Sequence, residues 1–206
     1  MSTRTVTVEH VPYAVAAREL LRNTLLNAAR DQLRSRTWAD VTMSDIANTA
    51  GVSRQTLYKE FGSREAFAEI LVRRETDSLL CAVGEAVNAR VDTPVSALAA
   101  AFDVIARAVA ESFLVQAIIQ GRDAPELSAV GGAHEMRLIE RATERLTEVI
   151  LAGWPPVGRE RAEHLSECVI RVAISYAALP KSPTGMSATS LARLLAPYME
   201  QFGDGA

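Results

Sequence analysis

The chain has 206 residues, of which 49% are hydrophobic and 23% charged, and a formal net charge of −3. This composition supports a folded core and excludes a disordered chain, while the acidic balance argues against a general nucleic-acid-binding protein. The charge is unevenly spread, because residues 1–75 hold 11 Lys and Arg against 9 Asp and Glu, whereas the remaining residues hold 11 against 16. The N-terminal part, called the head below, is thus mildly basic, and the remainder, called the body, is acidic. This distribution favours a protein that contacts DNA at one end only.

The cysteines and the first residues exclude other classes. Cys81 and Cys168 lack the CxxC spacing of a metal site and suggest no disulfide framework, so we expect both to be small buried side chains. The start of the chain lacks the apolar stretch of a secretory signal, and no run approaches the roughly 20 apolar residues of a membrane span. We therefore expect a cytoplasmic protein with no membrane contact, no metal and no cofactor.

The first predicted unit is an N-terminal arm over residues 1–17, which shows no helical pattern. Two interpretations of this arm stay open, a loose tail and a basic segment that enters the DNA minor groove. From Glu19 to about Arg36, an amphipathic helix is predicted by apolar residues at every fourth position, namely Leu21, Leu25, Ala29 and Leu33. A short connection follows, in which we expect Trp38 to cover the core of the small domain.

The stretch from Thr42 to Arg64 predicts two short helices joined by a tight turn. Thr42, with Asp45 three residues later, resembles a capping box at the start of the first helix. Gly51 tolerates the positive φ of a sharp turn, and Ser53 is a suitable N-cap for the second helix. This spacing predicts a helix-turn-helix, whose second helix enters the DNA major groove while the first crosses the phosphate backbone.

The second helix begins with three side chains suited to reading bases. Arg54 can bond a guanine edge bidentately, Gln55 can bond an adenine edge, and Thr56 can offer its hydroxyl or contact a thymine methyl. Contacts with DNA phosphates are expected at Thr42, Ser53, Tyr58, Lys59 and Arg64. Any one of these polar residues alone is equally compatible with solvated surface, so the prediction depends on their joint spacing.

The helix-turn-helix region contains a characteristic set of residues. They are Thr42, Ile46-Ala47, Ala50-Gly51-Val52-Ser53, Thr56-Leu57-Tyr58, Phe61 and Arg64-Glu65-Ala66. This pattern resembles the DNA-binding domain of the tetracycline-repressor-like (TetR) family of bacterial regulators, over residues 18–74. Arg64 departs from the family, which usually has Lys there, although both cations suit a phosphate. The resemblance implies an all-α fold with a helix-turn-helix domain at residues 18–65 and a ligand-binding and dimerisation domain at residues 66–206.

The remaining chain reads as a series of helices. A long helix from Arg64 to Ala89 would span about 39 Å at 1.5 Å per residue and run from the head into the body. Thr93 is expected to be the N-cap and Pro94 the first residue of the next helix, which ends near Ala110. Further helices are predicted at residues 111–120, 136–151, 159–179 and 188–202, with a loop or a single turn at 126–129. No alternating strand pattern occurs, so about nine helices are expected.

The last two predicted helices are apolar on more than one face, above all at residues 168–174. In the resembled family, such a helix pair packs against its copy to form a four-helix dimer interface. The implied homodimer has the two-fold symmetry that a palindromic operator in double-stranded DNA requires. Pro197 removes one intrahelical hydrogen bond, so we expect a kink in the last helix.

The body is rich in apolar residues and has few interior polar candidates, which favours a lipophilic effector. The expected ligand-binding residues are Leu79, Val83, Phe102, Ile105, Val109, Phe113, Gln116, Ile118, Ile139 and Arg171. Arg171 has two interpretations, a clamp for a ligand carboxylate and an ion pair with Glu167, and the i,i+4 spacing favours the ion pair. Residues 53–67 look like those of actinobacterial family members connected with lipid and hydrocarbon metabolism, which implies a fatty acid or an acyl compound.

The leading hypothesis is therefore a repressor that releases its operator when it binds this effector. An enzyme is not expected, because the three histidines lack metal-binding spacing and there is no GxSxG, P-loop or dinucleotide fingerprint. One alternative is a multidrug-type regulator with a cationic, drug-like ligand, which would need interior carboxylates or an aromatic cage. The other is a lipid-binding protein of the same fold that has lost operator binding, against which the intact stretch Thr56-Leu57-Tyr58-Lys59 argues.

Overall fold

The computed structural model describes residues 12–120, 133–178 and 187–200. Within these ranges the chain forms nine α-helices, two single 3₁₀ turns and no strand, so the predicted all-α fold is confirmed. The helices are α1 (Tyr13–Gln32), α2 (Met43–Thr49), α3 (Arg54–Phe61), α4 (Arg64–Asn88), α5 (Pro94–Glu111), α6 (Phe113–Gln120), α7 (Ala133–Gly153), α8 (Arg159–Ala178) and α9 (Ala188–Glu200).

The main difference from the predicted boundaries is at α1, which begins at Tyr13 and ends at Gln32 instead of running from Glu19 to Arg36. The backbone N–H groups of Val15 and Ala16 donate to the carbonyl of Pro12, which starts the helix there. Its first turns bury no side chain, so they carry no apolar periodicity to predict a helix. Residues 13–17 of the predicted arm are thus helical. The rest of the arm and the predicted turn at 126–129 lie outside the described residues.

The helix starts agree with the predicted capping residues. Asp45 N donates to Thr42 Oγ1 over 3.1 Å and Thr42 N donates to Asp45 Oδ2 over 2.9 Å, which completes the capping box of α2. Hydrogen bonds from the Thr42 backbone and hydroxyl hold the pKa of the Asp45 carboxyl below its ordinary value. Ser53 caps α3, and Gly51 has the expected positive φ of 70°. Thr93 is the N-cap residue of α5 and Pro94 its first residue, as predicted, although the Thr93 side chain makes no capping hydrogen bond.

The head has its own buried core, built from α1, α2, α3, the first turns of α4 and two residues of α6. Trp38 is buried in this core and stacks on Phe67 at a centroid distance of 6.5 Å, which confirms its predicted role as a core residue. Phe61 meets Phe67 edge-on at 4.7 Å. These three rings join the end of α3 and the connection before α2 to the start of α4, so α3 and α4 are packed together.

The body core is formed by the second half of α4 with α5, α7, α8 and α9. Gly84 on α4 lets α7 approach closely, because a Cβ at this position would lie 3.2 Å from a Val149 methyl group. Between the two cores lies α6, which places Leu114 and Ile118 in the head core and Val115 and Ile119 in a smaller body cluster. Both α4 and α6 therefore connect the head with the body.

The prediction that Cys81 and Cys168 are buried is wrong, because both side chains are exposed. Cys81 follows the buried Leu80 on α4, and Cys168 precedes the buried Val169 on α8. Each cysteine lies one helical position away from a core residue, so its side chain faces outward. Among the described residues, no helix is long and apolar enough to cross a membrane. The same residues contain no cluster of three or more potential metal ligands. The kink expected at Pro197, which lies inside α9, stays a prediction.

Candidate DNA-binding surface and ligand cavity

The structure places the expected base-reading residues on the outer side of α3. Leu57 and Phe61 are buried in the head core and hold the helix from beneath, while Arg54 and Gln55 are exposed at its N-terminal turn. Thr56 is half-buried, and its hydroxyl lies 2.8 Å from Ser53 Oγ. The first turn of α3 therefore offers two fully exposed side chains and one hydroxyl that a capping residue holds in place.

The residues expected to contact phosphates surround this turn in different ways. Lys59 and Thr42 are exposed, and Ser53 uses its oxygen to accept a hydrogen bond from Thr56 N at 3.0 Å. The Tyr58 ring is half-buried against the head core, and the Arg54 guanidinium lies 5.2 Å from its centroid. This contact pre-positions the Arg54 side chain along the outer face of α3.

Arg64 is the expected phosphate contact whose guanidinium makes several contacts within the head. Its Nη1 donates to the Val41 carbonyl at 2.7 Å and its Nη2 to the Trp38 carbonyl at 2.6 Å. The guanidinium also lies 4.2 Å from the Trp38 ring centroid. The planar guanidinium of Arg64 therefore contacts two carbonyls and one ring within the head. In this way Arg64 joins α4 to the connection before α2.

Sequence analysis missed a group of residues that fixes α3 against α1. Arg18 Nε lies 2.9 Å and Arg22 Nη1 2.7 Å from Glu60 Oε1, and the Arg22 guanidinium covers the Phe61 ring at 4.8 Å. Burial raises the pKa of the Glu60 carboxyl, but the hydrogen bonds from Arg22 and Arg18 outweigh this effect and leave its pKa below the ordinary value. No signal for these ion pairs was present in the sequence, because Glu60 is about 40 residues away from Arg18 and Arg22 in the chain.

The body contains a cavity of about 110 Å³ between α4, α5, α6, α7 and α8. Its wall is apolar except for Glu75 and Thr76. The lining residues are Glu75, Thr76, Leu79, Leu80, Ile105, Val115, Ile118, Ile119, Ile139, Ala142, Ile170, Ala173 and Ile174. A space of this composition fits part of an aliphatic ligand.

Only some of the residues expected to bind the ligand reach this cavity. Four of them line it, namely Leu79, Ile105, Ile118 and Ile139. Three others are buried in helix packing without reaching the cavity wall, namely Val83, Phe102 and Val109. The side chain of Phe113 lies outside the described residues. Helical periodicity predicts that a residue is buried, but it does not distinguish a residue that packs against a neighbour from one that faces a space.

The two expected polar ligand contacts are engaged elsewhere. Gln116 Nε2 donates to the Val109 carbonyl at 2.7 Å, which satisfies a backbone group in the last turn of α5. Arg171 is exposed, and its Nε lies 2.7 Å from Glu167 Oε1. Neither residue lines the cavity, and for Arg171 the ion-pair interpretation favoured by the spacing is the one observed.

Glu75 is a cavity residue that sequence analysis did not single out, although a signal was present. It interrupts the i,i+4 series Phe67, Leu71, Glu75, Leu79, Val83, so a charge lies in the apolar stripe of α4. Its side chain is only 7% exposed, and Oε2 lies 3.3 Å from Nε of Arg30, which is on α1 and half exposed. An ion pair therefore joins the cavity wall to the head.

Comparisons with known proteins agree with this architecture. Residues 25–70 match a family model described as bacterial regulatory proteins of the tetR family, and residues 94–197 match one described as the C-terminal domain of the bacterial tetracyclin repressor. The chain is 35% identical over 206 residues to the HTH-type transcriptional regulator AlkX of Mycobacterium tuberculosis, with 98% of each chain covered.

Solved structures give the same result. The TetR family repressor AlkX from Dietzia sp. strain DQ12-45-1b, implicated in biodegradation of n-alkanes, is similar at a TM-score of 0.72 and 29% identity, over 87% of this chain and 97% of that chain. RolR in complex with resorcinol has a TM-score of 0.58 at 18% identity, over 93% of this chain and 97% of its own, and shows the fold alone. The family models and the full-length relative together show that the chain belongs to the TetR family of bacterial transcriptional regulators.

Proposed function

We propose that this regulator is a homodimeric repressor that releases a palindromic operator when it binds a lipophilic effector, a fatty acid or an acyl compound. The observation that carries the proposal is the apolar cavity built on α4. Only two residues separate the start of this helix from the end of α3, the proposed recognition helix. The n-alkane context of the Dietzia repressor supports an effector with an aliphatic chain.

For operator binding, we propose that Arg54, Gln55 and Thr56 read bases and that Thr42, Ser53, Tyr58 and Lys59 contact phosphates. The exposure of the N-terminal turn of α3 supports the first group. Arg64 is left out of the proposed phosphate contacts because its Nη1 and Nη2 each donate to a backbone carbonyl within the head. The α3 helix is also fixed from the side by the Glu60 ion pairs, so its outer face is presented in one orientation.

The base-reading residues are expected to contribute sequence-specific DNA affinity, whereas Lys59 is expected to contribute affinity for any DNA sequence. Gln55→Ala should cost about 1 to 3 kcal/mol on the operator and relax specificity at one base position, because a base contact is lost. Lys59→Ala should weaken operator and random DNA alike and flatten the salt slope by about one unit per site. The measurement is the dissociation constant at several salt concentrations, on an operator selected from a random DNA pool by the wild-type protein. An equal loss on operator and random DNA for Gln55→Ala would remove it from the base readers.

The size of the cavity supports a coupling between ligand and head. An engineered cavity of about 150 Å³ binds one benzene molecule, so the present space of about 110 Å³ is too small for a long alkyl chain. A longer chain that enters the cavity fully would therefore push the lining helices apart. Since α4 forms one wall and runs directly from α3, widening the cavity would tilt α4 and change the spacing of the two recognition helices in a dimer.

Effector strength is expected to rise with chain length. Moving a two-state equilibrium from 1:99 to 99:1 takes about 5.5 kcal/mol, and each buried methylene contributes at most about 0.8 kcal/mol, so about ten carbons are needed after ordering costs. The measurement is operator release at fixed salt for a series from about four to about sixteen carbons. Ala142→Leu should weaken the response by filling the cavity, whereas Ala99→Leu, outside the cavity, serves as the control. Release that is independent of chain length would contradict the proposed switch.

A cationic, drug-like effector is the second candidate, because Glu75 places one carboxylate in the cavity wall. That carboxylate already has Arg30 as its partner. No aromatic residue is among the described residues that line the cavity, so the wall supplies no cage for a cation. Both observations favour the aliphatic effector.

A further inference from the structure

The carboxylate of Glu75 has acceptor capacity that its neighbours do not use. Its one ion-pair contact is with Arg30 Nε at 3.3 Å, and no other described residue donates a hydrogen bond to it. A carboxylate offers about four acceptor sites, and polar groups as buried as this one are normally hydrogen-bonded. Among the described residues that line the cavity, Thr76 is the only other polar one. The polar part of the described wall is therefore the Glu75 carboxylate, which only accepts hydrogen bonds, and the Thr76 hydroxyl, which can donate as well as accept.

The charge at this end is already balanced. Glu75 and Arg30 form a neutral pair, so an alkanoate would bring a second negative charge beside the Glu75 carboxylate. An alkylammonium would bring a positive charge that the pair leaves unmatched. Either ion would also lose its hydration against an otherwise apolar wall. A neutral head group that donates a hydrogen bond avoids both costs and fills the acceptor site.

We propose that Glu75 determines effector specificity within the alkyl and acyl class, by accepting a hydrogen bond from a neutral donor such as a primary alcohol or an undissociated acid. The proposal rests on the proposed function in one respect, that the effector occupies this cavity. Chain length then supplies the affinity, and Glu75 selects the head group. A fatty acid then binds in its undissociated form, and ionised carboxylates and alkylammonium ions of equal length are poorer ligands.

The test compares four probes of similar chain length, namely 1-decanol, its isomer 1-methoxynonane, decanoate and decylammonium. The two isomers contain the same atoms, but the ether has no O–H to donate. Dissociation constants are measured directly on the full-length protein by calorimetry, separately from operator release. Wild-type protein should bind 1-decanol about tenfold more tightly than each of the other three probes, as expected for one hydrogen bond to a charged acceptor.

Two variants of Glu75 assign the preference to this side chain. Glu75→Met removes the acceptor and should bring 1-decanol and 1-methoxynonane to the same affinity. Glu75→Gln keeps the shape, removes the negative charge and adds an amide donor, so decanoate should bind about tenfold more tightly than it binds wild-type protein. Asp77→Asn is the matched control, because Asp77 is an acid on the same helix that pairs with Arg141 away from the cavity. It should leave the order of the probes unchanged.

Three results would overturn the proposal: equal binding of the two isomers to wild-type protein, tighter binding of decanoate than of 1-decanol, or an unchanged order in both Glu75 variants. Absence of binding by all four probes would overturn it together with the assignment of the cavity. If the expected order is found but no probe releases the operator, the recognition by Glu75 stands and the proposed repressor switch fails.

Discussion

Replacing Leu194 by Glu is expected to separate the proposed dimer and to lower operator affinity by about 100- to 10,000-fold, because two linked half-sites bind far more tightly than one. Leu194 is 72% exposed on α9, next to the buried Leu191 and Ala192, so an apolar side chain faces outward on the proposed interface. A charge there costs the folded monomer little, but in a helix-to-helix interface it would be buried without a partner. Light scattering gives the mass, and titration of a two-site operator gives the affinity.

Leu20 offers a matched control for this substitution. It is a leucine of similar exposure, 69%, but it lies on α1 of the head. Leu20→Glu should therefore leave the molecular mass at that of the dimer. A wild-type protein that is monomeric at micromolar concentration, or a Leu194→Glu variant that keeps the dimer mass, would contradict an interface at α9.

Arg64→Ala is expected to lower the free energy of unfolding by about 3 kcal/mol, since two hydrogen bonds from a charged donor and a cation–π contact are lost. This is a large part of the stability of a typical domain, which is about 5 to 15 kcal/mol. Arg64→Lys should lose less, because an ammonium can stay near the Trp38 ring but does not hold two carbonyls in a planar fork. Chemical denaturation of the three proteins measures these differences.

The same variants distinguish the structural role of Arg64 from a phosphate contact. If the guanidinium only joins parts of the head, Arg64→Ala should leave the salt slope of operator binding unchanged under conditions where the protein is fully folded. Arg54→Ala is the control for stability, because it removes an equal charge from an exposed position. A salt slope reduced by about one unit per site, with unchanged stability, would return Arg64 to the phosphate contacts.

Much of the head was predictable because its structure is set by local rules. The capping box of Thr42 and Asp45, the positive φ of Gly51 and the cap at Ser53 each depend on residues within a few positions of one another. The full set of helices also followed from apolar periodicity within single segments. Family membership agrees with the expected regulator and with the expectation that the chain is not an enzyme.

The remaining features depend on contacts between distant segments, which one sequence does not show. Arg64 has the residue type of a phosphate contact, and only the position of two carbonyls more than 20 residues away reveals its role. Phe102 and Ile118 are equally apolar, yet only Ile118 lines the cavity. The prediction that the two cysteines are buried failed for a different reason. Free cysteines are buried on average, but this average says little about one particular position on a helix.

The placement of Leu114 and Ile118 in the head core has a consequence for how the protein unfolds. The division of the chain at residue 65 describes the expected roles of its two parts, but the head completes its core with side chains about 50 residues further along. A fragment ending with α4 would keep the helix-turn-helix and leave an apolar gap where α6 packs. Head and body therefore share part of their stability, and loss of structure in one lowers the barrier to loss in the other. Evolutionary exchange of the DNA-binding half between relatives would have to preserve this contact as well as the recognition residues.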